Sequence, residues 1–389
     1  MPFEVLQHEL DTRAAQGLLR HRCSLQSAQG TRVKVDDGKP ILSFSSNDYL
    51  GLACHPQLLA ALQTGTQQYG LGAGASHLVS GHFSAHDELE QALAEFVGKP
   101  AALLFSSGYL ANLGAVQALV GRSDKIFADK LNHASLNDAM LLSRAQVHRY
   151  RHNDMAHLAQ LLEQSNSGRK LVITDAVFSM DGDLASLPEL LGLCEQYDAW
   201  LLVDDAHGFG VLGEQGRGSL FHHRNSTGLA SPRIIYMATL GKAVGVSGAF
   251  IAAEQVVIDT LVQNARSYIY TTASPPALSC AVLASLHLLQ KEEWRRTQLC
   301  RLIAQLRAGL AGLPWVLMHS DTPIQPLLVG NNHVAVALSE ALRARGIWVP
   351  AIRPPTVPEG TARLRISLSA AHSEQEVAQL ISALHELAH

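Results

Sequence analysis

Short apolar runs alternate with longer helical patterns through the middle of the chain. The runs are rich in β-branched and aromatic residues, and polar or glycine-containing turns bound them. Because their apolar character is nearly continuous rather than alternating, both faces of each strand should be buried. This pattern predicts an α/β fold with a mostly parallel central sheet and an active site at the carboxyl ends of its strands. The five predicted strands are 102–105, 171–174, 200–203, 234–237 and 249–252.

The two ends of the chain predict separate structural units. Pro275-Pro276 can open a helix, because proline is tolerated in a first turn. Ser373 and Glu376 form a capping-box pattern before the last predicted helix. Beyond Pro276 the strands are predicted at 324–329, 348–352 and 364–368, and the helices at 334–345 and 374–387. The expected division is an N-terminal segment (1–40, with a strand at 31–35), a large domain (41–275), and a linking helix with a small C-terminal α/β domain (276–389).

Composition and charge exclude several classes of partner. The 389 residues are 47% hydrophobic and 16% charged, which is typical of a globular protein. The net charge is −4 without a run of five like charges, so no nucleic acid is expected. No signal peptide or membrane-spanning segment is indicated, and a cytoplasmic location is expected. The 19 histidines and five scattered cysteines show no metal-ligand spacing, so no metal is expected.

Functional side chains directly follow two of the predicted strands. Strand 200–203 leads into Asp204, Asp205 and His207, and strand alternation should send the two carboxylates to opposite faces. Strand 234–237 leads into Thr239 and Lys242, and Lys242 is the one charged residue from 234 to 253. Partial burial there would favour the neutral amine that forms imines.

A nucleotide-binding P-loop is the other reading of Gly241-Lys242. The chain lacks the earlier glycine of that motif, and Ala243 stands where the motif requires serine or threonine. We therefore reject the P-loop.

Two further strand ends add an anion site and a hydroxyl. Residues 102–105 are followed by Gly108, Tyr109 and a helical pattern, and the amide donors at a helix start suit a phosphate. Strand 171–174 leads towards Ser179. An acid, a histidine, a phosphate cradle and a lysine at one sheet edge are what pyridoxal 5'-phosphate (PLP) requires. The sequence therefore predicts a PLP-dependent enzyme.

Motifs over essentially the whole chain resemble the α-oxoamine synthases, a family of fold-type I PLP-dependent transferases that are homodimers with the active site at the interface. The resemblance implies that Lys242 holds the cofactor as an imine, that Asp204 pairs with its ring nitrogen, and that His133 stacks on the ring and also contacts substrate. It further implies that Ser179 and His207 contact the phenolic oxygen of the cofactor, and that Gly108, Tyr109 and Thr239 hold its phosphate. The motifs that carry it are Ser46–Leu52, Ser107–Tyr109, Asn132–Ser135, Phe178–Gly182, Asp204–Gly208, Gly213–Gly218 and Gly241-Lys242.

Segments near the C-terminus narrow the implied substrate. Ala351–Pro358 and Arg363–Arg365 resemble those of the members that condense L-alanine with a pimeloyl thioester in biotin biosynthesis. The donor, CoA or an acyl carrier protein, stays open. By the same resemblance Arg353 pairs with the amino-acid carboxylate, Thr356 and Arg20 contact the acyl part, and Thr272 reaches the partner's phosphate. One departure is His77, which stands where many members carry arginine.

Three alternative functions remain open from the sequence. A glycine-using relative, such as a 2-amino-3-oxobutyrate CoA ligase, would keep the lysine and aspartate motifs. A non-catalytic regulator could retain the PLP fold, and a nicotinamide dehydrogenase is the most distant alternative. At single positions, Arg20 could be a solvated surface charge and His133 an ordinary loop histidine.

Overall fold

The structure is a computed structural model that describes residues 2–35, 38–165, 168–222 and 228–388. Its strands are β1 (Arg32–Val35), β2 (Lys39–Ser43), β3 (Ala101–Phe105), β4 (Lys125–Asp129), β5 (Gln146–Tyr150), β6 (Lys170–Asp175), β7 (Trp200–Asp204), β8 (Ile234–Thr239), β9 (Ala249–Ala253), β10 (Val316–Leu317), β11 (Ile324–Gly330), β12 (Ile347–Trp348), β13 (Ala351–Ile352) and β14 (Ala362–Ser367).

The α-helices complete the element order. They are α1 (Glu4–Ala15), α2 (Pro56–Tyr69), α3 (Ser84–Val97), α4 (Gly108–Leu119), α5 (Ala134–Ser143), α6 (Met155–Glu163), α7 (Leu187–Gln196), α8 (Gln255–Asn264), α9 (Arg266–Ile269), α10 (Pro276–Lys291), α11 (Glu293–Gly309), α12 (Asn332–Ala344) and α13 (Glu374–Leu387). A π-helix covers His77–Gly81, and 3-10 helices cover Glu214–Gly216 and Ser219–Phe221. Within the described ranges, no helix is long and apolar enough to cross a bilayer.

The chain forms two compact units. The large unit comprises residues 50–179 and 183–296, and the small unit comprises residues 1–49, 180–182 and 297–389. These boundaries differ from the expected ones at 40/41 and 275/276. The N-terminal strands belong to the small unit because β2 pairs with β12 there. Helix α10, which begins at Pro276 as predicted, packs on α2 and α3 within the large unit instead of opening the small one.

A seven-stranded sheet forms the core of the large unit, in the order β3-β9-β8-β7-β6-β4-β5. Strand β9 runs antiparallel to both of its neighbours, and the other neighbouring pairs are parallel. Every residue of β9 is buried, as the continuous apolar runs predict. The predicted mostly parallel α/β sheet is therefore confirmed. Strands β4 and β5 are additions that the sequence pattern did not single out.

The small unit contains two sheets, one of order β1-β2-β12 and one of order β10-β11-β14-β13. The single strand predicted over 348–352 is instead two strands, because β12 pairs with β2 and β13 pairs with β14. Pro350 lies between them and has no amide hydrogen to continue a ladder. At the start of α13, the Ser373 hydroxyl accepts from the Glu376 amide and the Glu376 carboxylate accepts in return, which is the predicted capping box.

Candidate active site

A cavity of about 200 Å³ lies in the large unit, where loops leave the carboxyl ends of β6, β7 and β8. It collects side chains that are far apart in the sequence, because parallel strands deliver their carboxyl ends to one edge of a sheet. The lining residues are Gly108, Tyr109, His133, Ser135, Asp175, Asp204, Ala206, His207, Met237, Thr239 and Lys242.

Lys242 lies half-buried in a glycine-rich turn after β8. Its Nζ is 2.8 Å from Nε2 of His207, which follows β7. The turn is closed by the Gly245 amide, which donates to the Lys242 carbonyl at 2.9 Å. Gly245 has a φ of +75°, and a Cβ there would lie 2.7 Å from the backbone nitrogen of Ala53. Only glycine satisfies both conditions, so the turn holds the lysine in place.

The two consecutive carboxylates point to different surroundings, as strand alternation predicts. Asp204 belongs to the cavity, and its Oδ1 accepts from the Ala206 amide at 3.0 Å. Asp205 is fully buried elsewhere, where it accepts from the amide and hydroxyl of Ser219 at 2.6 and 2.5 Å and from the Tyr236 hydroxyl at 2.7 Å. Burial raises the pKa of Asp205 to about 6 despite these donors. Asp205 is therefore a structural residue of the large unit.

His133 caps helix α5 and lines the same cavity as Asp204. Its amide donates to Oδ2 of Asp175 at 2.7 Å. Asp175 ends β6 directly opposite Asp204 in the parallel register. Burial, followed by the charge of Asp204, raises the pKa of Asp175 well above its usual value. Burial also lowers the pKa of His133, against the opposing charge of Asp204.

The predicted phosphate residues meet at one corner of the cavity. Helix α4 begins at Gly108, and the Ser107 hydroxyl caps it by accepting from the Leu110 amide at 3.3 Å. Amides in the first turn of a helix have no intrahelical partner and are available to an anion. The Thr239 hydroxyl is held by donation to the Gly248 carbonyl at 3.1 Å.

Tyr109 and Ser179, two residues predicted to contact the cofactor, differ in how the structure places them. The Tyr109 hydroxyl donates to Asp138, and this hydrogen bond raises the pKa of Tyr109. Ser179 follows β6 but is not among the residues that line the cavity.

The side chains present fit PLP. A lysine amine supplies the imine partner, and a helix start with a neighbouring hydroxyl suits the phosphate. Asp204 has one hydrogen bond on each oxygen, to Ala206 and to Asn112. Each carboxylate oxygen accepts about two hydrogen bonds, so Asp204 can also accept from a protonated ring nitrogen.

His133, which is predicted to contact substrate, lies in the large unit, whereas the other predicted substrate residues, Arg20, Arg353 and Thr356, lie in the small unit. Nη2 of Arg20 donates to the Thr356 hydroxyl at 3.4 Å. The Arg353 guanidinium donates to the Gly17 carbonyl. Arg20 and Thr356, which the family resemblance assigns to the acyl part of the substrate, are therefore in contact with each other.

Sequence spacing did not single out a histidine cluster in the large unit. Nδ1 of His77 lies 2.7 Å from Nδ1 of His82, and Nε2 of His82 lies 2.8 Å from Asp87. His86 accepts the Phe83 amide with Nδ1 and lies 2.9 Å from the Ser274 carbonyl with Nε2. The three rings have the proximity of metal ligands.

Ring nitrogens in this cluster already hydrogen-bond to protein groups, which makes a connected polar network a sufficient account of it. Burial, then the neighbouring His86 and His82, lowers the pKa of His77 to about 4. The residue that departs from the family pattern is therefore a neutral histidine.

Comparisons with known proteins show the family of the chain. Residues 39–384 match the family described as aminotransferase class I and II. The structure is similar to a Sphingomonas wittichii serine palmitoyltransferase, with a TM-score of 0.91 and 30% identity over 99% of this chain and 96% of the other. It is also similar to an 8-amino-7-oxononanoate synthase from Francisella tularensis, with a TM-score of 0.77 and 32% identity over 90% and 98% of the two chains.

The chain belongs to the class I and II aminotransferase family and is a PLP-dependent enzyme of fold-type I. Within that class it belongs to the 8-amino-7-oxononanoate synthases. It is 60% identical to the curated enzymes of this name from Nitrosomonas eutropha and Nitrosomonas europaea, over 98% of this chain and 98% of each relative. This membership sets aside the nicotinamide dehydrogenase and the non-catalytic regulator that the sequence left open.

Proposed function

We propose that the protein joins L-alanine to a pimeloyl thioester, releases the thiol and CO₂, and so forms 8-amino-7-oxononanoate for biotin synthesis. The observation that carries the chemistry is the 2.8 Å contact of Lys242 with His207, in one cavity with Asp204. The substrate assignment rests on the relatives' names and on the segment around Arg353. We further propose that the enzyme acts in the cytoplasm, without a nucleic acid or membrane partner.

PLP, when bound, supplies an electron sink for negative charge at the amino-acid α-carbon. Asp204 holds the ring nitrogen protonated, because a buried carboxylate stabilises the positive form. Ser179 and His207 would contact the phenolic oxygen, and His133 would stack on the ring. The backbone amides of Gly108 and Tyr109 would bind the phosphate, and the Thr239 hydroxyl would donate to it in place of the Gly248 carbonyl.

Lys242 has two consecutive tasks in this proposal. When PLP is bound, the Lys242 amine would hold it through its aldehyde carbon. Nζ would also be the general base that accepts the proton from the α-carbon of alanine. His207 lies within hydrogen-bond distance of Nζ and therefore restricts the orientation of the amine before and after this transfer.

Arg353, Thr356 and Arg20 provide the proposed substrate contacts. The planar Arg353 guanidinium suits a carboxylate, to which it can donate two parallel hydrogen bonds. Nη1 of Arg353 donates to the Gly17 carbonyl, and the guanidinium has five N–H donors, so it can donate to a carboxylate without losing that contact. Thr356 and Arg20 are already paired with each other, and we assign them to the acyl part.

A second copy of the chain completes the proposed enzyme. Leu71 and Val79 are each 80% exposed and Tyr270 is 72% exposed, which leaves apolar area for a partner to cover. Thr272 follows Tyr270 and is exposed, as its proposed contact with the partner's phosphate requires. Sedimentation at micromolar concentration should therefore report a homodimer.

The decisive assay measures thiol release from pimeloyl-CoA with L-alanine and, separately, with glycine. Lys242→Ala should lose turnover while still binding PLP. Lys99→Ala is the matched control: Lys99 is also partly buried in the large unit, but its Nζ donates to the Ser231 carbonyl outside the cavity. Turnover in Lys242→Ala would refute the lysine assignment, and a preference for glycine would identify the protein as the glycine-using relative.

A further inference from the structure

Asn112 connects two groups of the active site, although sequence reasoning did not identify it. Its side chain is fully buried on helix α4. Nδ2 donates to Oδ2 of Asp204 at 2.7 Å and to the Ser135 hydroxyl oxygen at 2.9 Å. Both amide hydrogens are thereby used. The orientation of the amide is fixed, because an ionised carboxylate can only accept.

The hydroxyl of Ser135 passes this constraint to His133. Since its oxygen accepts from Asn112, its own hydrogen is free to point to Nδ1 of His133, 2.8 Å away. The Ser135 amide also donates to that nitrogen, at 3.2 Å. Two donors on Nδ1 require it to be the acceptor nitrogen. A neutral His133 then carries its proton on Nε2.

The charges around His133 are compatible with a neutral ring. Burial is the largest influence on its pKa and lowers it; Lys242 acts in the same direction, whereas Asp204 and Asp138 oppose it. Asp175 accepts the backbone amide of His133 and so fixes the main chain instead of the ring. Ser135, in contrast, hydrogen-bonds to the ring itself, through both its hydroxyl and its amide.

We propose that Asn112 is a positioning residue that orients Asp204 and, through Ser135, holds His133 as the neutral Nε2–H tautomer. This inference rests on the proposed function, in which Asp204 and His133 contact the cofactor. A cationic imidazole at that place would compete with the protonated ring nitrogen for the charge of Asp204. Keeping His133 neutral leaves that charge to the cofactor, which needs it when charge develops at the α-carbon.

The test uses the PLP-loaded enzyme and three serine variants. Ser135→Ala removes the donor to Nδ1, and Ser135→Thr restores a hydroxyl. Ser143→Ala is the matched control, because Ser143 is a buried serine of the same helix α5 whose hydroxyl donates to the Met140 carbonyl. Asn112→Leu removes both amide donors at similar size and extends the series if it folds.

The main readout is ¹⁵N NMR of histidine-labelled protein. In the wild type, His133 should show one acceptor and one protonated ring nitrogen over the neutral pH range. Ser135→Ala should show averaging of the two nitrogen signals or protonation at higher pH, and Ser135→Thr should restore the wild-type pattern. The pH at which the visible absorbance of bound PLP titrates should move in Ser135→Ala and not in Ser143→Ala.

Turnover provides the second readout. The kcat of Ser135→Ala should fall about 10-fold, the order expected for a residue behind a directly contacting group, with a smaller change in KM for alanine. Unchanged NMR and absorbance titrations in both Ser135→Ala and Asn112→Leu would refute the proposal that Asn112 and Ser135 hold the tautomer of His133. Both titrations are recorded without substrate, so they stand even if the alanine assay fails and the proposed function with it.

Discussion

His152 should stabilise the large unit in a pH-dependent way, and the size of the effect follows from its contacts. Its Nδ1 lies 3.0 Å from Asp129 at the end of β4, and its Nε2 lies 2.8 Å from Asp183. Burial by itself would lower the pKa of His152, but the hydrogen bonds to the two carboxylates outweigh it and raise the pKa to about 10. The imidazolium ring also packs edge-on against Phe178, next to Ser179.

The free energy of stabilisation depends on how strongly water screens the contacts that raise the pKa of His152. A rise from 6.5 to about 10 corresponds to about 5 kcal/mol if water screens none of it. The side chains of His152 and Asp183 keep 28% and 29% of their exposure, whereas Asp129 keeps 1%. We therefore expect about 2 kcal/mol, most of it from the Asp129 contact.

The sign follows from the raised pKa. A histidine with a higher pKa in the folded state contributes its full stabilisation below pH 6.5 and loses it as the pH rises to about 10. Guanidinium unfolding of wild type and His152→Gln should therefore differ by about 2 kcal/mol more at pH 6.5 than at pH 10. Protein and PLP concentrations must be constant, because ligand and partner binding both shift apparent stability.

Asp183→Asn gives an intermediate case, because it removes one partner and leaves the more buried one. It should lose less than half of the pH-dependent stabilisation. If the difference between wild type and His152→Gln is the same at both pH values, the charged contacts contribute nothing and the reasoning is wrong.

Three other changes test separate parts of the structure. Asp204→Asn should lower kcat at least about 100-fold with little change in melting temperature. Asp205→Asn should instead cost about 2 kcal/mol of stability and keep most of the activity. Steady-state kinetics and thermal melts distinguish the two variants, and the reverse pattern would exchange the roles of the two residues. Gly245→Ala should destabilise by at least about 2 kcal/mol, because its positive φ and the 2.7 Å approach to Ala53 exclude a Cβ; an unchanged melt contradicts this. Ser373→Ala should lose about 1 kcal/mol in equilibrium unfolding, as a lost N-cap does; a loss near zero would show that the cap is dispensable.

Most of the central sheet could be predicted because its strands are buried on both faces. The predicted strand at 234–237 is observed as Ile234–Thr239, and the last helix is observed over the predicted residues Glu374–Leu387. Strand β5 was missed because four of its five residues are at least partly exposed, so it lacks the continuous apolar run that identified β3, β6, β7, β8 and β9. Strand β3, at the opposite edge of the sheet, was found because four of its five residues are buried.

The candidate site divides in the same way. Lys242, Asp204 and His207 were recognisable because each directly follows an apolar strand. Asn112 and Ser135 were not, since each is an ordinary polar residue on a helix. Their significance lies in contacts that span 92 residues of sequence from Asn112 to Asp204 and 23 from Asn112 to Ser135.

The sequence by itself determined the fold class, singled out Lys242 as the candidate cofactor lysine, and placed two consecutive carboxylates on opposite faces at the end of one strand. Strand geometry alone dictates that Asp204 and Asp205 diverge. The family resemblance assigned Asp204 to the cofactor, but the strand pattern itself did not distinguish the two carboxylates. The tertiary structure supplies the physical reason, because Ser219 and Tyr236 donate to Asp205 while Asn112 donates to Asp204. Those donors come from distant parts of the chain, so the local sequence pattern does not predict which carboxylate each of them contacts.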